Sequence, residues 1–151
     1  VARHFGATPG KVYPLDETSE DSRHRDLARH VIRYSRQRPQ WDPAGFARLV
    51  YIGDGGAPPG SYTMDLVHLP KGCGVQLYER EVEDVYLVLE GVVTAGWEES
   101  GRIYEERLGP KEVIFNPSGR RHYFRNDGVE DAQFMMVVGG PKPEKVAFKV
   151  A

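Results

Sequence analysis

The sequence is poor in cysteine, in long apolar runs and in charge of a single sign. Cys73 is the only cysteine among the 151 residues, which excludes an internal disulfide and a zinc site built from several cysteines. No apolar run approaches the roughly 20 residues that span a bilayer, and the first ten residues lack the apolar core of a signal peptide. Because 20 Lys and Arg stand against 22 Asp and Glu, nucleic acid is not an expected partner. We expect a cytoplasmic protein that binds neither membranes nor nucleic acids.

Turn-forming residues, by contrast, are abundant. The chain has 17 Gly and 11 Pro, and from Ala47 onward these residues separate short apolar, β-branched runs. Short strands at near-regular spacing, with no long helix between them, favour an all-β sandwich or small barrel. We assign residues 47–151 to this barrel and residues 1–46 to an N-terminal arm of a single-domain protein. Leu27, Val31 and Tyr34 have the spacing of one helical face, and a short helix is predicted around Asp21–His30 within the arm.

Two segments of the predicted barrel carry polar residues at fixed distances from turn glycines. The fixed positions are Gly72, Tyr78, Arg80, Asp84 and Gly91 in the first segment, and Pro117, Gly119, His122 and Asn126 in the second. Over about residues 47–150 the chain resembles the cupin superfamily, in particular its small single-domain bacterial members, whose motifs read G-x5-H-x-H-x3-E-x6-G and P-x-G-x2-H-x3-N. The resemblance implies a double-stranded β-helix, or jelly-roll, barrel. It also implies that the first-motif histidines are replaced, since Tyr78 and Arg80 stand at their positions.

Strand alternation groups the polar and aromatic side chains of these motifs, because residues at i and i+2 of a strand point the same way. The groups are Gln76 with Tyr78 and Arg80, Asp84 with Tyr86, and His122 with Phe124. In a cupin frame these faces converge inside the barrel, where a small ligand fits. We predict catalytic roles for His122 and Tyr78. We predict ligand-binding roles for Arg80, Asp84, Gln76, Phe124 and Tyr86.

The residue types of this site argue against a tightly bound metal. A metallo-cupin binds its metal through three His and one Glu, whereas this sequence resembles that frame with His retained at His122 only. Arg80 is a permanent cation without a lone pair to donate. We therefore predict no cofactor, and the remaining candidates for a divalent metal are His122 and Asp84.

Three functions are compatible with this set of residues. The first is a metal-independent isomerase, epimerase, lyase or cyclase that acts on a small anionic metabolite, with His122 and Tyr78 moving protons and Arg80 holding the anion. The second is a non-catalytic binding or sensing module, which predicts a closed apolar pocket with Arg80 fully paired to Asp84. The third is a metal-dependent dioxygenase or decarboxylase with an unusual ligand set. Since exposed strand edges need covering, we also expect a homodimer.

Overall fold

The computed structural model describes residues 14–16, 18–22, 25, 30–140 and 146–151. These residues fall into two units, 1–31 and 32–151. We predicted a helix around Asp21–His30. In that range Ser22 and Arg25 are helical and His30 lies in a turn, whereas residues 23, 24 and 26–29 lie outside the described ones. Within the described part of the chain, no helix is long and apolar enough to cross a membrane.

The second unit is built almost entirely from β-strands, which confirms the predicted all-β fold. Its one short 3-10 helix among the described residues spans Tyr34–Arg36. Its strands are β1 (Gln40–Trp41), β2 (Ala47–Ile52), β3 (Tyr62–Leu69), β4 (Asp84–Glu90), β5 (Val93–Glu99), β6 (Arg102–Leu108), β7 (Val113–Asn116), β8 (His122–Arg125) and β9 (Ala132–Gly139).

The strands form two antiparallel sheets. The larger sheet has the order β1-β2-β3-β9-β4-β7, and the smaller has the order β6-β5-β8. The residues 32–46, which we assigned to the arm, belong to this unit: β1 pairs with β2, and the Phe46 side chain is fully buried.

Strand alternation decides which side chains enter the space between the sheets. Along β9, Ala132, Phe134, Met136 and Val138 are buried and the residues between them are half-buried. Along β4, Asp84, Tyr86 and Val88 are buried with the same alternation. The strand β8 adds the buried side chains of His122 and Phe124 to an interior that is rich in aromatic rings. The rings that meet in it are Phe46, Tyr78, Tyr86, Phe124, Phe134 and Phe148.

Two glycines permit the close approaches that shape this interior. Gly91, between β4 and β5, has a φ of +73°, and a Cβ there would lie 2.9 Å from the carbonyl oxygen of Asp131. Gly74 pairs with Arg125 of β8, and a Cβ at Gly74 would lie 2.2 Å from the Cβ of Arg125. Residues 74–80 can therefore run beside β8 and carry Tyr78 and Arg80 into the interior.

Candidate functional site

The carboxylate of Asp84 lies at the centre of a buried polar cluster. Arg80 Nε donates to its Oδ2 at 3.0 Å, and His122 Nε2 lies 2.9 Å from the same oxygen. Asn116 Nδ2 donates to the other oxygen, Oδ1, at 2.8 Å. All four side chains are buried, so their mutual contacts replace the water that each would otherwise bind.

The hydrogen-bond partners of His122 determine which of its ring nitrogens carries a hydrogen and whether a proton lies between the ring and Asp84. Its Nδ1 lies 2.6 Å from the backbone oxygen of Arg120, and because a carbonyl oxygen can only accept, Nδ1 carries a hydrogen. Its Nε2 faces the carboxylate of Asp84, so a second proton lies either on Nε2 or on Asp84. In both arrangements the pair holds one proton more than a neutral imidazole beside a carboxylate. Together with the Arg80 guanidinium, the cluster then carries one net positive charge.

Two tyrosine hydroxyls lie beside this cluster and hydrogen-bond to each other. Tyr78 Oη contacts Tyr86 Oη, and the Tyr78 ring lies 4.3 Å from the His122 ring between centroids. Burial raises the pKa of Tyr78 far above its ordinary value of 10.0, and the negative charge of Asp84 adds to the effect. Burial, together with the neighbouring Tyr78 and Asp84, also raises the pKa of Tyr86. Both phenols therefore stay protonated near neutral pH, where they can donate hydrogen bonds and are weak acids.

The elements that carry these groups explain how they meet. Asp84 and Tyr86 share the inner face of β4, and His122 and Phe124 share the inner face of β8. Tyr78 exchanges backbone hydrogen bonds with His122, with both N···O distances between 2.8 and 2.9 Å. The structure thus brings together Tyr78, Arg80, Asp84, Tyr86, His122 and Phe124, and the roles that we assigned to them stay predictions.

Gln76 does not join this group, so the predicted common face of Gln76, Tyr78 and Arg80 is wrong. Gln76 is exposed, whereas Tyr78 and Arg80 are buried. The cause is a bulge: between the Gly74–Arg125 and Tyr78–His122 bridges lie three residues on this segment (75–77) but only two on β8 (123 and 124). One extra residue reverses the alternation.

Gln76 lies instead in a cavity on the outer side of β8. This cavity of about 400 Å³ is lined by Val75, Gln76, Leu77, Arg121, Tyr123, Arg125 and Ala151. Its two arginines are held by carboxylates, Arg121 by Glu98 at 3.2 Å and Arg125 by Glu105 at 2.6 Å. The cavity is separate from the His122 cluster, because Tyr123 and Arg125 point away from the face that carries His122.

Sequence reasoning missed two polar residues on the inner side of the large sheet. Asn116 ends β7 directly opposite Asp84 of β4. Asp65 of β3 lies opposite Met136 of β9, and the Met136 Sδ is 3.6 Å from Arg80 Nη2. The signal that predicts an inward Asp65 is strand alternation. Along β3, Asp65 shares one face with Val67 and Leu69, and these two apolar residues belong to the core.

Comparison with solved structures identifies proteins whose folds are similar to that of this chain. No protein-family model matches the chain, and no curated protein matches it in sequence. The polyketide cyclase RemF from Streptomyces resistomycificus matches in structure with a TM-score of 0.63 and 19% identity, over 76% of this chain and 81% of that chain. KdgF from a Halomonas species matches with a TM-score of 0.60 and 15% identity, over 74% and 94% of the two chains.

A third similar structure is a predicted oxalate decarboxylase from Thermotoga maritima, with a TM-score of 0.61 and 20% identity, over 72% of this chain and 97% of that chain. These neighbours are cupin-like proteins, and the antiparallel sheets of this chain are consistent with their fold. The chain has a cupin fold. At these identities the likeness establishes the fold, and the site must be argued from its own residues.

The interior of this cupin does not fit the divalent metal of metallo-cupins. His122 Nε2 and the Asp84 Oδ2 are directed at each other, and Arg80 donates to the same Oδ2. A metal ion would have to separate the imidazole from the carboxylate and lie beside a permanent guanidinium cation. Among the described residues, no three His, Cys, Asp or Glu side chains are grouped so that they could hold an ion.

Proposed function

We propose that the interior cluster performs acid–base catalysis without a metal on a small anionic substrate. The observation that carries this proposal is the geometry of His122, whose Nδ1 faces the backbone oxygen of Arg120 while its Nε2 faces the carboxylate of Asp84. Such a pair can give a proton to a substrate atom and take one back, which is the basic operation of isomerases, epimerases, lyases and cyclases. The polyketide cyclase RemF, a structural neighbour, has an activity of this general kind in its name.

Each remaining group of the cluster has a role in this proposal. By the resemblance to cupins, Tyr78 and Arg80 stand where metallo-cupins have two histidine ligands, so that a hydrogen-bond donor and a cation take the place of metal ligands. Tyr78 donates a hydrogen bond to the substrate, because its raised pKa keeps the phenol protonated. Arg80 stabilises negative charge on a substrate carboxylate, enolate or phosphate, and Asp84 orients both Arg80 and His122.

The test measures proton exchange with solvent. The protein, stripped of metals by chelation, is incubated in D₂O with a panel of small carboxylates and phosphates, and deuterium uptake into each compound is followed by NMR. We expect exchange into at least one compound by the wild type, and a loss of about 100-fold or more in His122→Asn. The matched control is His68→Asn, which should retain the wild-type rate. His68 is a half-buried histidine of β3 that pairs with Asp131.

Metal analysis of the purified protein completes the test. A transition metal near one per chain that disappears in His122→Ala, together with exchange that requires that metal, would contradict the proposal. It would make His122 a ligand and favour the dioxygenase or decarboxylase hypothesis.

A second candidate function is supported by the pairing of Arg80 with Asp84 at 3.0 Å. This pairing is one of the two features that we expected of a non-catalytic binding or sensing module, the other being a closed apolar pocket. Such a module binds one member of the panel without exchanging its protons, so calorimetric binding without deuterium uptake would favour it over the enzyme.

A further inference from the structure

Asp65 lies on the same inner sheet surface as the His122 cluster. In the large sheet Asp65 of β3 is directly opposite Met136 of β9, and Met136 is directly opposite Tyr86 of β4. Directly opposed residues of antiparallel strands present their side chains on one face. Met136 is 2% exposed and Tyr86 is fully buried, so this face is the interior. Arg80 reaches the same row through its contact with Met136 Sδ.

Arg48 shares that face from the neighbouring strand. It lies opposite Val67, which is fully buried, and its Nη1 lies 3.9 Å from Asp65 Oδ2. The side chains of Arg48 and Asp65 remain 36% and 16% exposed, so this part of the interior surface can be reached from solvent. The Nε of Arg48 is buried and finds no acceptor among the described residues, which leaves a donor suited to an anion.

Asp65 is the carboxylate that faces both arginines. Burial raises its pKa, and the charges of Arg48 and Arg80 oppose this shift without cancelling it. Among the described residues, the charged groups that act on Asp65 are Arg48 from β2 and Arg80 from the segment before β4. The residues directly opposite Asp65, Val50 of β2 and Met136 of β9, are uncharged. The two arginines are therefore the charged groups that set the behaviour of this carboxylate.

We propose that Arg48 and Arg80 together bind the carboxylate or phosphate group of a small anion, and that Asp65 couples this binding to the uptake of a proton. An anion placed between the arginines is repelled by an ionised Asp65, whereas a protonated Asp65 can donate a hydrogen bond to it. Binding then strengthens as the pH falls. The inference rests on the proposed function in taking the ligand to be anionic, and it adds Arg48 and Asp65 to the site.

Calorimetric titration of the full chain with two probe anions tests this proposal. Sulfate represents a phosphate group and acetate a carboxylate, and a preference for either one identifies the class of anion. Between about pH 5.5 and 8, we expect the wild-type Kd of the preferred anion to rise by up to about tenfold per pH unit, the limit for one linked proton. Titrations in two buffers of different ionisation enthalpy report the proton uptake directly.

The variants separate Asp65 from the other titrating groups. Asp65→Asn should bind about tenfold tighter than the wild type at the upper end of this range, and should lose the corresponding part of the pH dependence. The rest of the chain is the same in both proteins, so the difference isolates Asp65. Asp54→Asn removes the same charge from an exposed turn and should match the wild type. Arg48→Gln, combined with Asp65→Asn, should weaken binding again.

The outcomes distinguish this inference from the function on which it rests. If Asp65→Asn binds a probe anion with the pH dependence of the wild type, the coupling is overturned and the anionic ligand of the proposed function survives. If neither the wild type nor Asp65→Asn binds sulfate or acetate at any pH, the anion site and the anionic substrate both fail. Far-ultraviolet circular dichroism of each variant verifies that the sheets are intact.

Discussion

The two faces of strand β8 carry similar chemistry in opposite environments. On the inner face, His122 joins the buried Asp84–Arg80 pair and Phe124 packs among aromatic rings. On the outer face, Tyr123 covers Gly96 of β5, and Arg125 pairs with Glu105 and Asp127. Both faces thus combine an aromatic residue with ion pairs formed to neighbouring segments.

The contact distances do not distinguish these faces, but burial does. Arg80 Nε lies 3.0 Å from Asp84 Oδ2, with side chains 5% and 0% exposed. Arg125 Nη1 lies 2.6 Å from Glu105 Oε1, with side chains 31% and 39% exposed. The inner pair has no water to replace a lost partner, whereas water and salt can replace the outer one. Removing one partner of an ion pair should therefore lower the free energy of unfolding strongly on the inner face and weakly on the outer face, whatever the N···O distance.

The largest effect is expected from removing the central carboxylate. Asp84→Asn keeps the shape of the side chain but leaves the Arg80 guanidinium without a negative partner and loses its contact with His122. We expect the free energy of unfolding to fall by about 3–5 kcal/mol, the usual cost of breaking a buried ion pair. Urea denaturation of the wild type and the variant measures it.

The matched control is Glu105→Gln on the outer face. It removes the partner of Arg125 and should change the free energy of unfolding by less than about 1 kcal/mol, with a difference that shrinks as salt is added. Equal losses for Asp84→Asn and Glu105→Gln would show that burial does not separate the two faces.

An intermediate effect is expected from the tyrosine pair. Tyr86→Phe removes one hydroxyl and with it the hydrogen bond between the two buried tyrosines. The expected loss is about 1–3 kcal/mol in the free energy of unfolding. Tyr104→Phe is the control, because Tyr104 is 41% exposed on β6 and stacks on Trp97, and its loss should be close to zero.

Alkaline pH should produce a smaller effect of the same tyrosine pair, a gradual fall of Tm. Both pKa values are raised above the ordinary 10.0, so at high pH the folded protein binds more protons than the unfolded chain. The stability that the folded protein keeps while both tyrosines are protonated is fully present below pH 10 and is lost as the pH rises above that value. Thermal unfolding measured from pH 8 to 11 should show Tm falling above pH 10, and falling less steeply in the Tyr78→Phe/Tyr86→Phe double variant. An identical slope in the two proteins would contradict the buried, protonated pair.

The two faces of β8 could be assigned from the sequence, because a period of two places His122 and Phe124 on one side and Tyr123 and Arg125 on the other. His122 and Phe124 are buried and Arg125 is half-buried, but Tyr123 is buried as well, because it covers Gly96 of β5. The same period placed Asp84 and Tyr86 on the inner face of β4. These positions depend only on local geometry, which a short run of residues determines.

Other features depend on contacts distant in sequence and could not be predicted in this way. The orientation of Gln76 is set by a bulge that appears only when residues 74–78 are paired with β8. Alternation along β3 indicates that Asp65 faces inward, but its position beside Arg48 and Met136 depends on the pairing of β3 with β2 and β9. The proton shared by His122 and Asp84 was equally hidden, since it depends on the carbonyl of Arg120 that Nδ1 faces.

Nitrogen-15 NMR of the His122 ring tests whether His122 and Asp84 share a proton. We expect a proton bonded to Nδ1, and a second one that Nε2 either carries or accepts as a hydrogen bond from Asp84. In Asp84→Asn the second proton should be lost while Nδ1 keeps its own. A wild-type spectrum in which Nδ1 has the shift of a bare nitrogen, or in which Nε2 has a free lone pair, would rule out the shared proton.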